Sequence, residues 1–98
     1  MKVKKLHVMG YDIKIRYGHA PSESKADATG FSSNWRNYIW IEKEAAGRGE
    51  VVLHEILHLL ENRLALHLSE DQVRSLSYGL AGVIRDNPKF VELLQSDK

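Results

Sequence analysis

Cysteine is absent from the 98 residues of this chain. Disulfides, thiolate metal sites and cysteine nucleophiles are excluded together, and a reducing compartment fits. No stretch approaches the roughly 20 apolar residues that span a bilayer. Met1-Lys2-Val3-Lys4-Lys5 leads into no apolar signal core, so a cytoplasmic protein is expected. An excess of one charge is also missing. The 14 basic and 13 acidic residues give no reason to expect nucleic acid or an anionic membrane as partner. Repeats and low-complexity segments are lacking. What remains, 43% apolar and 28% charged over residues 1–98, suits one small folded domain. Its core is limited by its size, so a bound metal would add structural support.

The N-terminal half alternates like a sheet. Tyr11, Ile13, Ile15 and Tyr17 take turns with Asp12, Lys14 and Arg16. Leu6 and Val8 alternate more weakly before Gly10, which predicts a hairpin turning near Met9-Gly10. Residues 18–25 read as a polar loop holding Pro21. A second hairpin is expected from Ala28–Phe31 through Ser32-Ser33-Asn34 to Trp35–Ile41, with Tyr38–Ile41 its strongest strand. Glu42–Gly49 reads as a connector.

The C-terminal half is helical. A first helix should begin near Gly49 and end near Asn62, with Leu53, Ile56, Leu57, Leu60 and Leu64 as its buried stripe. Ser69 and Gln72 form a capping box for a second long helix, striped by Val73, Leu76, Leu80, Val83 and Ile84. Asn87-Pro88 ends that helix, and Phe90 to Leu94 suggest a short closing one. The expected fold is α+β: a small antiparallel sheet of two hairpins, packed on the first helix and a second long C-terminal helix.

The first helix carries the chemistry. Val51–Leu60 contains seven aliphatic residues, and the other three are His54, Glu55 and His58 in the pattern H-E-x-x-H. Residues four apart on a helix share a face, so His54 and His58 can aim two imidazole nitrogens at one metal ion. Glu55 lies beside that face, where a carboxylate can take a proton from a metal-bound water. A buried carboxylate and two buried imidazoles need partners; zinc and water would satisfy all three.

Catalytic zinc takes a third protein ligand. A metzincin would need glycine at 61 and histidine at 64, where this chain has Glu61 and Leu64. A thermolysin-like glutamate about twenty residues downstream would fall near Tyr78, with no carboxylate close by. The candidates are therefore Glu70, His67, Asp71 and Glu92. Glu70 sits at the edge of the second helix's stripe, and Asp71 points nearly opposite. Glu70 is the first choice and His67 the second. Glu70 reaches the metal only if the first helix stops soon after Asn62; otherwise it is a first-turn carboxylate facing the helix dipole.

Leu53-His54-Glu55-Ile56-Leu57-His58 resembles the active-site helix of gluzincin-like peptidases. With Leu68-Ser69-Glu70-Asp71 and Arg85-Asp86-Asn87-Pro88, the C-terminal half is similar to small phage- and prophage-encoded proteins taken to be metallopeptidases. The resemblance implies a minimal zincin. His54 and His58 match its metal ligands, Glu55 its general base, and Glu70 the acidic residue opening the next helix. Arg74 and Ser75 stand where relatives carry a further carboxylate.

The expected activity is zinc-dependent hydrolysis of a peptide or protein substrate. An extended substrate would add to an exposed sheet edge, for which Tyr38–Ile41 is the candidate; the same residues also read as a core strand anchored by Trp40. Tyr78 is a candidate oxyanion donor. His7 and His19 read as exposed, and His19 could cover the site. The alternative is a zinc-binding phage regulatory or immunity protein that acts by partner binding, or a metal-dependent hydrolase of a non-peptide substrate.

Overall fold

Alternating apolar residues build the sheet, and a two-residue turn joins its first pair of strands. The computed structural model describes residues 3–18, 30–33, 37–42 and 48–97. Strands β1 (Lys5–Val8) and β2 (Tyr11–Gly18) pair antiparallel, with Val8 opposite Tyr11. Met9 and Gly10 both take positive φ, 48° and 86°. That left-handed pair matches the twist of a tight hairpin. β3 (Gly30–Ser33) and β4 (Tyr38–Glu42) form the second antiparallel pair.

The two hairpins join through a parallel contact between β2 and β4, with Ile15 opposite Ile39. The sheet is therefore mixed rather than wholly antiparallel, in the order β1-β2-β4-β3. Tyr38–Ile41 lies in an interior strand, not at an edge, and all four of its residues are buried. Its neighbours explain this. Ile39 and Ile41 face the core, the Arg16 guanidinium stacks 4.6 Å from the Tyr38 ring centre, and the Trp40 indole N–H donates to the Gly18 carbonyl at 2.9 Å. The edges are β1 and β3. Residues 34–36 of the expected second hairpin, residues 43–47 of the expected connector, and residues 19–29, with His19 and most of the expected polar loop, lie outside the described residues.

Three helices follow: α1 (Gly49–Arg63), α2 (Glu70–Asp86) and α3 (Pro88–Ser96). α1 lies on the sheet. Val51 and Leu59 join Val8, Ile13, Ile15, Ile39 and Ile41 in one core cluster, with Val52, Ile56 and Leu60 packed at its margin. The most buried line of α1 is thus Val51, Glu55 and Leu59, one helical turn apart. Leu53 and Leu57 are only half-buried, and Leu64 is exposed. α2 packs on α1, and α3 on α2. Within α2 the buried residues are Val73 and Ser77, whose hydroxyl donates to the Arg74 carbonyl at 2.9 Å. Leu76, Leu80, Val83 and Ile84 are exposed instead. The reason is geometric: α2 meets only one neighbour broadly, so one narrow line suffices to cover that contact. No described helix is long and apolar enough to cross a membrane.

Candidate metal centre

Two helix ends meet at the site. α1 stops at Arg63, and its exit is closed by the Leu66 N–H donating to the Glu61 carbonyl at 2.8 Å and the Ala65 N–H to the Asn62 carbonyl at 3.3 Å. This is a Schellman-type end, with Ala65 in the left-handed position at φ 56° that glycine usually fills. After residues 64–69 α2 opens under the capping box: Gln72 N–H donates to Ser69 Oγ at 3.1 Å, and Ser69 N–H to Gln72 Oε1 at 2.8 Å. The short connection turns α2 back along α1 and sets Glu70 opposite the histidines.

His54, His58 and Glu70 converge. His54 Nε2 lies 2.7 Å from Glu70 Oε1, His58 Nε2 lies 3.1 Å from Glu70 Oε2, and the two Nε2 atoms are 3.2 Å apart. Their ligating atoms all fall within 4.8 Å of one another, a group that could hold a metal ion. The chemistry of the donor set fits. Two imidazole nitrogens and a carboxylate, with a fourth position open, are a known catalytic zinc set, whose bonds of about 2.0–2.2 Å space tetrahedral donors about 3.3–3.6 Å apart. The two spacings from His58 Nε2, 3.1 and 3.2 Å, are tighter by up to about half an ångström, and the 2.7 Å between His54 and Glu70 by about 0.6–0.9 Å, so Glu70 must move back from His54 to admit the ion. The imidazoles are mostly shielded, at 18% and 24% side-chain exposure, and Glu70 is half-exposed at 52%. Solvent therefore reaches the group from the α2 side.

Glu55 is placed by β3. It is 6% exposed, and a Cβ built on Gly30 would stand 2.6 Å from its Oε2. Only a glycine lets the strand backbone come that close. Burial pushes the Glu55 carboxyl up to about 7; His58 and a hydrogen bond from Ser32 pull it down, and the Glu70 carboxylate adds to the rise. Glu61 stands on the other side of His58. Its Oε1 accepts from His58 Nδ1 at 2.9 Å and its Oε2 accepts from the Leu68 N–H at 3.0 Å. These bonds hold its carboxyl below the usual range, the histidine contact contributing most. A recess of about 400 Å³ beside His58 is lined by Ser32, Glu61, Asn62, Ala65, Leu66 and His67.

Comparison with known protein families, curated proteins and solved structures finds no match. The reading of the site rests on its geometry.

Of the candidates for the third position, Glu70 is the one brought to the histidines. Asp71 is 90% exposed and pairs with Arg74 at 2.8 Å. His67 is exposed at the rim of the recess, and Glu92 is exposed on α3. Tyr78 is 75% exposed, so its ring stands in solvent rather than over a reacting group. His7 is exposed as expected, and its Nδ1 lies 3.1 Å from Asp12 Oδ1. Gly30, Ser32 and Glu61 escaped the sequence reading. A glycine within a strand is a signal of close backbone approach, and Glu61 lies at the i+3 spacing that places side chains together on a helix.

Proposed function

We propose that this protein is a zinc-dependent hydrolase of peptide bonds, acting in the cytoplasm on a peptide or protein substrate. The observation that carries the reading is the convergence of His54, His58 and Glu70, with Glu55 buried one residue along the same helix. Zinc supplies Lewis acidity, lowering the pKa of water to about 7 and polarising a carbonyl. The chain's own groups do the rest. His54, His58 and Glu70 would hold the ion. Glu55, with a carboxyl near 7 before any metal arrives, is matched to accept a proton from the attacking water and return it to the leaving amine. Gly30 and Ser32 keep that carboxylate aimed. Among the described residues β3 is an edge strand, next to Glu55, and the recess beside His58 offers room for a substrate side chain.

A second reading is a zinc-binding regulatory protein that acts through a partner, with little or no catalysis. It draws on the exposed apolar row of Leu76, Leu80, Val83 and Ile84 on α2 and Phe90, Leu93 and Leu94 on α3.

Metal analysis with parallel peptide cleavage tests both. The wild type should copurify with or take up about one zinc, and His54→Ala, His58→Ala or Glu70→Ala should each weaken retention by an order of magnitude or more, since about three protein ligands define a catalytic site. Zinc uptake without cleavage of any member of a diverse peptide library would favour the partner-binding reading. A native protein that accepts no zinc removes both.

A further inference from the structure

We infer that Glu61 is a positioning residue that ties the His58 ring to the α1–α2 connection, fixing both the metal-facing nitrogen of His58 and the arrival of Glu70. The inference rests on the metal reading above.

Each oxygen of Glu61 has its own task. An ionised carboxylate only accepts hydrogen bonds. The 2.9 Å contact with His58 Nδ1 therefore draws the ring proton to Nδ1, against Glu70 Oε2, which lies 3.1 Å from Nε2 and draws it the other way. In a neutral imidazole a proton held on Nδ1 leaves the lone pair on Nε2, the atom that faces His54 and Glu70. The second oxygen takes the Leu68 N–H at 3.0 Å, and the backbone carbonyl of the same residue takes the Leu66 N–H at 2.8 Å. Glu61 thereby grips the connection twice. Leu68 precedes Glu70 by two residues, with the N-cap Ser69 between them. The grip therefore lies at the step that delivers the third ligand. An ordinary surface pair at i, i+3 would be open to water, yet the side chains of His58 and Glu61 are 24% and 17% exposed. Groups that orient a ligating histidine through its other nitrogen typically change metal affinity by about 10–100-fold when removed.

The test uses the full chain, metal-free, as wild type, Glu61→Gln and Glu61→Ala. Zinc affinity is read by competition with a chelator. The His58 tautomer is read from imidazole nitrogen shifts in the metal-free protein, and the Leu68 amide by hydrogen exchange. Glu61→Ala should lose about 10–100-fold in zinc affinity, shift the His58 ring proton from Nδ1 towards Nε2 relative to wild type, and exchange the Leu68 amide faster. Glu61→Gln keeps the shape and one carbonyl oxygen, so it should keep at most one of the two bonds and fall between. If Glu61→Ala does not fold, Glu61→Gln decides: a folded Gln variant with reduced zinc affinity supports the inference. Wild-type zinc affinity with an unchanged His58 tautomer overturns it while the metal reading stands. Faster Leu68 exchange alone, with zinc and tautomer unchanged, reduces Glu61 to a loop latch and also overturns it. A wild type that binds no zinc ends the metal reading itself and this role with it.

Discussion

The carboxyl of Glu55 occupies the most buried line of α1, between Val51 and Leu59. Its environment makes ionisation expensive, and that has a measurable sign. In the metal-free protein the group keeps its proton up to about pH 7, whereas in the unfolded chain it releases it near the ordinary 4.5. The native state therefore binds the extra proton between those values. Stability from this group is fully present below the unfolded pKa and declines as pH rises through the folded one. The decline amounts to about 3 kcal/mol at most. Urea unfolding of metal-free wild type at about pH 5 and about pH 8 should show it, and Glu55→Gln should flatten the difference. The same variant should retain zinc and lose about 10²–10⁴-fold in peptide cleavage, the share a general base commonly supplies. Gly30 is a companion case. Gly30→Ala puts a methyl group 2.6 Å from Glu55 Oε2, so either β3 or the carboxylate must shift. We expect a loss of about 1–3 kcal/mol, as for overpacking elsewhere, together with reduced cleavage at near-normal zinc content. Unchanged stability and activity in Gly30→Ala would count against the close approach.

Between α1 and α2 the helix signals in the sequence and the observed boundaries agree closely. The capping box at Ser69 and Gln72 forms as the spacing predicts, and Asn87-Pro88 separates α2 from α3. The reason is that caps are local: each needs only a side chain and backbone groups within one turn. The end of α1 was harder to read, since Arg63–Leu68 contains no glycine and Ala65 takes the left-handed position. That termination matters to the His54–His58–Glu70 group, because a longer α1 would carry the connection past the histidines. Ser69→Ala should cost about 1 kcal/mol of stability by removing the cap. It should also loosen zinc binding, because the first turn of α2 carries Glu70. Thermal unfolding and a zinc titration on the same variant check both effects; a lowered melting temperature with unaltered zinc affinity would show that Glu70 does not depend on the cap. Stripes were less legible than caps. Leu76, Leu80, Val83 and Ile84 share the apolar character of a core face but remain exposed, because periodicity reports which residues could be buried and not how many neighbours arrive to bury them.

The described elements stack as sheet, α1, α2 and α3, with α2 leaning chiefly on α1 and α3 on α2. α3 has no buried residue. In such a stack the buried residues of α2 are Val73 and Ser77 alone. A metal bridging His54 and His58 of α1 to Glu70 of α2 would clasp the two helices. Binding to the folded state alone stabilises by about 2.7 kcal/mol at a hundredfold excess over Kd. For a domain of this size that corresponds to a rise of about 10–20 °C in Tm. Differential scanning fluorimetry with added zinc, then with a chelator, should show the rise and its reversal, and Glu70→Ala should abolish it. A similar zinc-induced rise in Glu70→Ala would mean that the ion is held without α2.

Spacing alone put His54 and His58 on one helix face with Glu55 beside it, because residues one turn apart on a helix share a face whatever surrounds them. Caps and the β1–β2 turn were legible for the same reason: their geometry closes within a few residues. Tertiary structure decided what depends on distant segments meeting. It joined the two hairpins in parallel and so buried Tyr38–Ile41 inside the sheet, leaving β3 at the edge. It brought Glu70 rather than His67 or Asp71 to the histidines, laid the Gly30 backbone against Glu55, and set Glu61 between His58 and Leu68. None of these follows from a local period, since each is fixed by where one helix stops and which strand lies beneath it.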